Sequence, residues 1–355
     1  MRTVSAIKNI NSTLIVYGFN MVLQFIIRFV LLYYLSIEYL GLNGLFDNIL
    51  TVLSLTELGI GPAIIFSLYS PLANHDLETA KSIMRIFKKA YIYIGTLILF
   101  LGLCISPFVQ HLIKVPPNIA YLNIFFLLFV VDTGISYFYS YKKCLLIADQ
   151  KQYIANYYRG ITQLIGSLFQ IALVILTHSF WVYIILRICM TFSENFLIAR
   201  KADHLYSFLN EKNIQPLNKD IYQSIIRNIK ALILHKIGGV TVFGTSNIIL
   251  SKFVGLSAVA LYTNYYLIIN GIDKLSDQVF NALKASVGNL NESHDDAHKL
   301  VIFKRLEFMT AYLACFICSN LYLLLNPFIT IWLGNNYRFD ESIVFWMVIN
   351  FYLMF

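Results

Sequence analysis

The chain is short of charge. Asp, Glu, Lys and Arg make up 13% of its 355 residues, against about 25% in an ordinary soluble domain. That excludes a water-exposed globule, and what fills the gap is apolar: 58% of residues are hydrophobic and the mean hydropathy is +0.67. Seven prolines leave long stretches with no helix breaker. The five cysteines (Cys104, Cys144, Cys189, Cys315, Cys318) all fall in or beside apolar runs, which argues against a disulfide framework. Cys315 and Cys318 have CxxC spacing but no second pair, so neither zinc nor redox chemistry is expected. His294 and His298 in "HDDAH" are four apart in a hydrophilic stretch with no further ligand, and read as a solvated turn. No GxxxxGK[ST] phosphate loop occurs, which disfavours ATP hydrolysis within the chain. No metal, cofactor or catalytic residue is expected, and the chain reads as a non-enzyme.

What is present is a series of apolar segments: 12–35, 39–68, 90–113, 119–141, 154–177, 180–199, 237–253, 256–286, 306–333 and 342–355. Most reach the roughly 20 residues that cross a hydrocarbon core as a helix. Because a backbone in lipid must satisfy its own hydrogen bonds, the expected class is an all-α polytopic membrane protein with about ten spans. The first span follows a short head with Arg2 and Lys8 and shows no small-residue cleavage site, so it reads as a retained helix.

The basic residues are distributed unevenly. Segments 1–11, 69–89, 142–153, 200–236 and 287–305 hold 19 of the 27 Lys and Arg. The intervening turns hold Lys114, Lys252 and Arg338, and five more (Arg28, Arg159, Arg187, Lys274, Lys284) lie inside spans. The positive-inside rule then puts the N-terminus and the basic loops in the cytoplasm. Topology and anionic headgroups also account for the net charge of +8, so no nucleic-acid partner is needed, and membrane lipids are the expected surroundings.

The longest connection divides the chain into an N-terminal six-helix bundle (1–200), a cytoplasmic linker (201–236) and a C-terminal bundle (237–355). An amphipathic run in and just beyond that linker, "IYQSIIRNIKALILHKIG", suits a membrane surface. "LFDNIL" at 45–50 and "LYTNYYLI" at 261–268 are a weak internal echo of two related halves. The final segment, "ESIVFWMVINFYLMF", ends without a polar flank, and the C-terminal bundle is expected to be incomplete.

Several spans carry polar stripes. Asn20, Gln24 and Arg28 are spaced by four on one side of the first span, opposite Val22, Phe25, Ile26 and Phe29. Asn43, Asp47, Thr51 and Ser54 continue at helical spacing in the second, with Glu57 just beyond. Asp132 and Thr133 interrupt the fourth span, Arg187 and Glu194 the sixth, and Asp273, Lys274, Asp277 and Gln278 the eighth. A charge at mid-bilayer costs about 2.5–3.5 kcal/mol on insertion scales, so this many imply an internal polar cavity. Arg28 reads in two ways. It is structural, paired with Asp47 or Glu57 or snorkelling to the outer headgroups, or it lines a cavity for an anion, phosphate above all, whose oxygens suit the planar guanidinium. Arg159, at the cytoplasmic mouth of the fifth span, reads first as a headgroup contact and second as a cavity residue, and Lys274 as a partner of Asp273 or Asp277. Glu57 lies in "SLTELGIGPAIIFSLYSPLA", where Gly59, Gly61 and Pro62 weaken the helix.

"LGLNGLFDNILTVLSLTELGIGPAIIFSLYSPLA" (40–73), "YKKCLLIADQKQYI" (141–154), "VFGTSNIILSKFVGLSAVALYTNYYLI" (242–268) and "ALKASVGNL" (282–290) together resemble the Wzx-type flippases of O-antigen and capsule repeat units. These belong to the multidrug/oligosaccharidyl-lipid/polysaccharide (MOP) exporter superfamily. The resemblance implies two bundles around a central cavity in a bacterial cytoplasmic membrane. It also implies alternating-access passage of a polyprenyl-pyrophosphate-linked oligosaccharide, with the pathway's polymerase and glycosyltransferases as partners. Arg28 would receive the pyrophosphate, with Gln24, Asn20, Asp47, Arg187 and Lys274 in the cavity and Glu57 and Asp132 as coupling carboxylates. Many relatives carry an acidic residue where this chain has Ser246, so no cation role is expected there. A multidrug exporter of the same superfamily is the alternative, and a membrane polymerase or acyltransferase a weaker one, because the outer turns are too short to carry a catalytic constellation.

Overall fold

Long apolar stretches without proline favour uninterrupted helix, and a computed structural model of the chain is built almost wholly of helices, with no strand among the described residues. Described are residues 2–57, 59–117, 119–211, 215–293 and 296–354. The side chains of Gln278, Lys284, His294 and His298 lie outside the described ones.

The helices are α1 (Arg2–Tyr34), α2 (Ile37–Leu53), α3 (Ile60–Ala73), α4 (Leu77–Ile105), α5 (Leu122–Ala148) and α6 (Gln152–Thr177). They continue as α7 (Phe180–Leu205), α8 (Lys219–Phe243), α9 (Ser246–Phe253), α10 (Leu256–Ser293), α11 (Asp296–Leu333) and α12 (Glu341–Met354). Seven helical stretches are long and apolar enough to cross a membrane, and the bent pair α2 and α3 makes an eighth. Helices α10 and α12 account for the other two of the ten expected segments. The chain is a multi-pass, all-α membrane protein.

Two compact units are present, Met1–Val259 and Ala260–Phe355. In the first, small residues let helices approach closely, as is usual in membranes. A Cβ built on Gly102 would lie 2.4 Å from Val130 of α5, and one built on Gly134 would lie 2.7 Å from Leu99 of α4. Gly166 meets Met190 in the same way, joining α6 to α7.

The turns of this unit sort by charge. At one end Asn9 reaches the α5–α6 turn, donating from Nδ2 to the Gln150 carbonyl at 3.0 Å and accepting from the Tyr153 amide at 2.8 Å. The same end carries ion pairs of Lys81 with Glu211 at 2.7 Å, Lys142 with Asp203 at 2.6 Å and Lys151 with Asp149 at 2.7 Å. Tyr206 donates to Asp149 at 2.6 Å; burial and this carboxylate both push its phenol up. Asp76 caps α4 by accepting from the Thr79 amide at 3.0 Å, and the Thr79 side chain first, then this amide, holds its carboxyl below the usual range. The opposite end is aromatic, with Tyr39, Phe125, Phe180 and Trp181 in contact and Tyr34 against His178.

The amphipathic run at 221–238 lies within α8. It is continuous with the beginning of the expected seventh span in α8, and Ile225 is buried, with Ile221 and Ile229 partly so, against a core that includes Ile64, Leu68 and Phe87. Part of its apolar face thus packs on protein, while Tyr222, Leu234 and Ile237 are exposed.

In the second unit, Tyr265, Leu321, Leu325, Ile329, Val344 and Val348 form a core between α10, α11 and α12. A polar knot crosses it: Tyr265 Oη binds Asn326 Oδ1 and accepts from the Phe339 amide at 3.0 Å, while Asn326 Nδ2 donates to the Phe339 carbonyl at 3.2 Å. The knot fixes the loop between α11 and α12 by its backbone.

Candidate functional site

The polar stripes of the first unit converge. Five helices (α1, α2, α5, α6 and α7) enclose a cavity of about 380 Å³, within the range of roughly 300–1,000 Å³ typical of small-ligand sites.

Helix α1 contributes Asn20, Gln24 and Arg28, one turn apart, and turns Val22, Ile26 and Phe29 outward. This is the arrangement the spacing of four requires. Helix α6 contributes a second stripe, Arg159, Gln163, Ser167 and Gln170. Gln170 donates to the Tyr183 carbonyl at 2.9 Å, and Gln163 to Glu194 at 3.5 Å. Asn20 Oδ1 is buried without a hydrogen-bond donor among the described residues, an acceptor left for whatever enters.

The third wall is a charge cluster around Arg187. Its Nε donates to Asp132 Oδ2 at 2.9 Å, one terminal nitrogen to Asn43 Oδ1 at 3.1 Å and the other to Asp47 Oδ1 at 2.8 Å. The guanidinium also stands over the Phe129 ring at 4.4 Å. Tyr183 adds a hydroxyl to Asn43 at 3.3 Å, and Asn43 Nδ2 reaches Asp47 Oδ2 at 3.3 Å. One planar cation thus ties α2, α5 and α7 together, and both carboxylates of the cavity are spent on it. The lining carries three arginines against two aspartates, so its net charge is positive. Arg28 interacts electrostatically with Tyr183 and Asp47.

Of the residues expected at the site, Asn20, Gln24, Arg28, Asp47, Asp132 and Arg187 meet here. Glu57 does not line this cavity. It closes the bend between α2 and α3, accepting from Tyr91 at 3.1 Å and Tyr137 at 3.5 Å, with Lys236 of α8 at 3.9 Å. Lys274 lies on α10 in the second unit, exposed, and is not among the lining residues. The α6 stripe was missed from sequence, although 159, 163, 167 and 170 share a face by the same spacing that marked α1. For Arg159 itself, the cavity is the second of the two readings, after the headgroups, and it is the one that the lining supports.

No protein-family model matches the chain, and no curated protein sequence does. Among solved structures it is similar to the inward-facing conformation of a multidrug resistance MATE family transporter of the MOP superfamily. The TM-score is 0.67 at 13% identity, over 96% of this chain and 75% of that one. At that identity the likeness concerns architecture alone: the chain shares the helical fold of that structure.

Proposed function

We propose that the chain moves polyprenyl-pyrophosphate-linked oligosaccharide repeat units across a bacterial cytoplasmic membrane, the headgroup passing through the cavity of the first unit. The observation that carries this reading is the state of the cavity charges. Asp47 and Asp132 both bond to Arg187, which leaves the lining cationic, with amides from α1 and α6 beside Arg28. Arginine binds phosphate oxygens with paired donors at any physiological pH. Amide side chains suit sugar hydroxyls, since each offers both donor and acceptor. Alternating access by two bundles, 1–200 and 237–355, belongs to the same proposal, as does a coupling role for Glu57 and Asp132.

A multidrug exporter is the second reading, favoured by the description of the structural neighbour. Cationic drugs need a free carboxylate in the cavity, and both cavity aspartates are engaged by Arg187.

The test is complementation of a flippase-deficient, polysaccharide-producing strain. The wild-type gene is expected to restore surface polymer, and Arg28→Ala to abolish it with protein still present in the membrane. Wild-type polymer from Arg28→Ala would remove Arg28 from the mechanism. Drug resistance without any polysaccharide locus would put the exporter reading first.

A further inference from the structure

The cavity has a cation whose position the charge cluster does not explain. Arg159 lines it from α6, is exposed, and makes no ion pair with a described residue. The acidic group at its level, Glu194, is taken up by others: Gln163 donates to one oxygen at 3.5 Å and Lys143 lies 3.9 Å from the other. Lys143 and Arg159 repel one another electrostatically, so this end of the cavity is more cationic than the Arg187 wall.

Its depth follows from how α1 and α6 lie. The two helices run in the same direction: Asn156 donates to Ser12 and Thr13 at 3.0 and 2.9 Å near their starts, and Tyr34 meets His178 at their far ends, with ring centroids 5.1 Å apart. Gly160 faces Val16, its notional Cβ at 3.1 Å, so Arg159 is level with the middle of α1. Arg28 is 12 residues beyond Val16, about 18 Å further along at 1.5 Å per residue. Asn20 and Gln24 on one helix and Gln163, Ser167 and Gln170 on the other occupy the interval.

We infer that Arg159 is a second anion-binding residue of this cavity, a phosphate station at the end where the basic turns gather, joined to Arg28 by an amide-lined path. The inference rests on the proposed passage of a pyrophosphate headgroup. An anion entering from the basic end meets Arg159 first and reaches Arg28 by exchanging contacts along the two stripes. Arg187, bonded to Asp132, Asn43 and Asp47, acts as a positioning residue that holds the far wall.

Phosphate at Arg159 has two sources, the cargo pyrophosphate and the phosphodiester of an ordinary anionic lipid. The experiment separates them. The full chain, purified in an uncharged detergent, is titrated calorimetrically with a fifteen-carbon prenyl pyrophosphate and, separately, with phosphatidylglycerol. Arg159→Ala and Arg28→Ala are each expected to weaken prenyl pyrophosphate binding by about tenfold or more, the loss of one charge-assisted contact. Arg159→Lys should restore most of it, and the thermal midpoint of Arg159→Ala should stay at the wild-type value. Unchanged pyrophosphate affinity in Arg159→Ala, with loss in Arg28→Ala, would overturn the inference and leave the proposed function standing. A loss confined to phosphatidylglycerol would also overturn it, making Arg159 a lipid anchor. A wild-type protein that binds no pyrophosphate would overturn both.

Discussion

Arg187 shows why a half-buried cation need not be a ligand site. Its side chain is 27% exposed and that of Asp132 only 7%, so the pair exists because each neutralises the other away from water. Removing one member strands the other, which costs on the order of 3–5 kcal/mol for a buried pair. Asp47 is 44% exposed and bears less of that penalty. Arg187→Ala is therefore expected to lower the thermal midpoint in detergent sharply, and Arg187→Lys to recover little, because an ammonium cannot address Asp132, Asn43 and Asp47 from one plane. The charge-free combination Arg187→Gln, Asp132→Asn and Asp47→Asn should regain most of the stability. A wild-type midpoint in Arg187→Ala would show that the cluster is not structural. The stripe on α1 was legible from spacing alone, because helical period fixes which residues share a face. That Asp47 meets Arg187 was not, since the partners come from α2, α5 and α7 and only packing brings them together.

At the scale of elements, the break between α2 and α3 is the feature that local chemistry dictates most directly. Gly59, Gly61 and Pro62 marked it in the sequence, and the two helices are bent by 45° there. Gly59 sits at φ 74°, and a Cβ on it would lie 2.8 Å from Leu232 Cβ on α8. An L-residue in this left-handed region costs about 1–2 kcal/mol before any clash. Gly59→Ala is expected to lower the thermal midpoint, and adding Leu232→Ala to return only the part due to contact, because the backbone strain remains. Full recovery in the double variant would mean that the bend tolerates a side chain and that α8 alone sets the requirement. Helix α8 was the less legible element. Its hydrophobic face was plain, but a face suited to a membrane surface is equally suited to protein, and Ile225 is buried against the inner core.

For the whole molecule, the sorting of turns by charge carries a prediction about orientation. The turns near Asn9, Asn74, Gln150 and Tyr206 carry the lysines paired with Glu211, Asp203 and Asp149, while those near Tyr34, Pro116 and His178 are nearly uncharged. A basic residue near an anionic leaflet gains about 1 kcal/mol, and basic loops resist translocation. The basic end is thus expected to face the cytoplasm, which puts Arg159 at the inner mouth and Arg28 deeper toward the outside. Single cysteines at Asn74, Gln150, Pro116 and His178, all exposed, read this directly with a membrane-impermeant maleimide. Pro116→Cys and His178→Cys should label in intact cells, and Asn74→Cys and Gln150→Cys only after permeabilisation. The opposite pattern would invert the path. Arg28 would then be met from the cytoplasm first, and a headgroup made in the cytoplasm would have to pass the Arg187 wall before reaching Arg159.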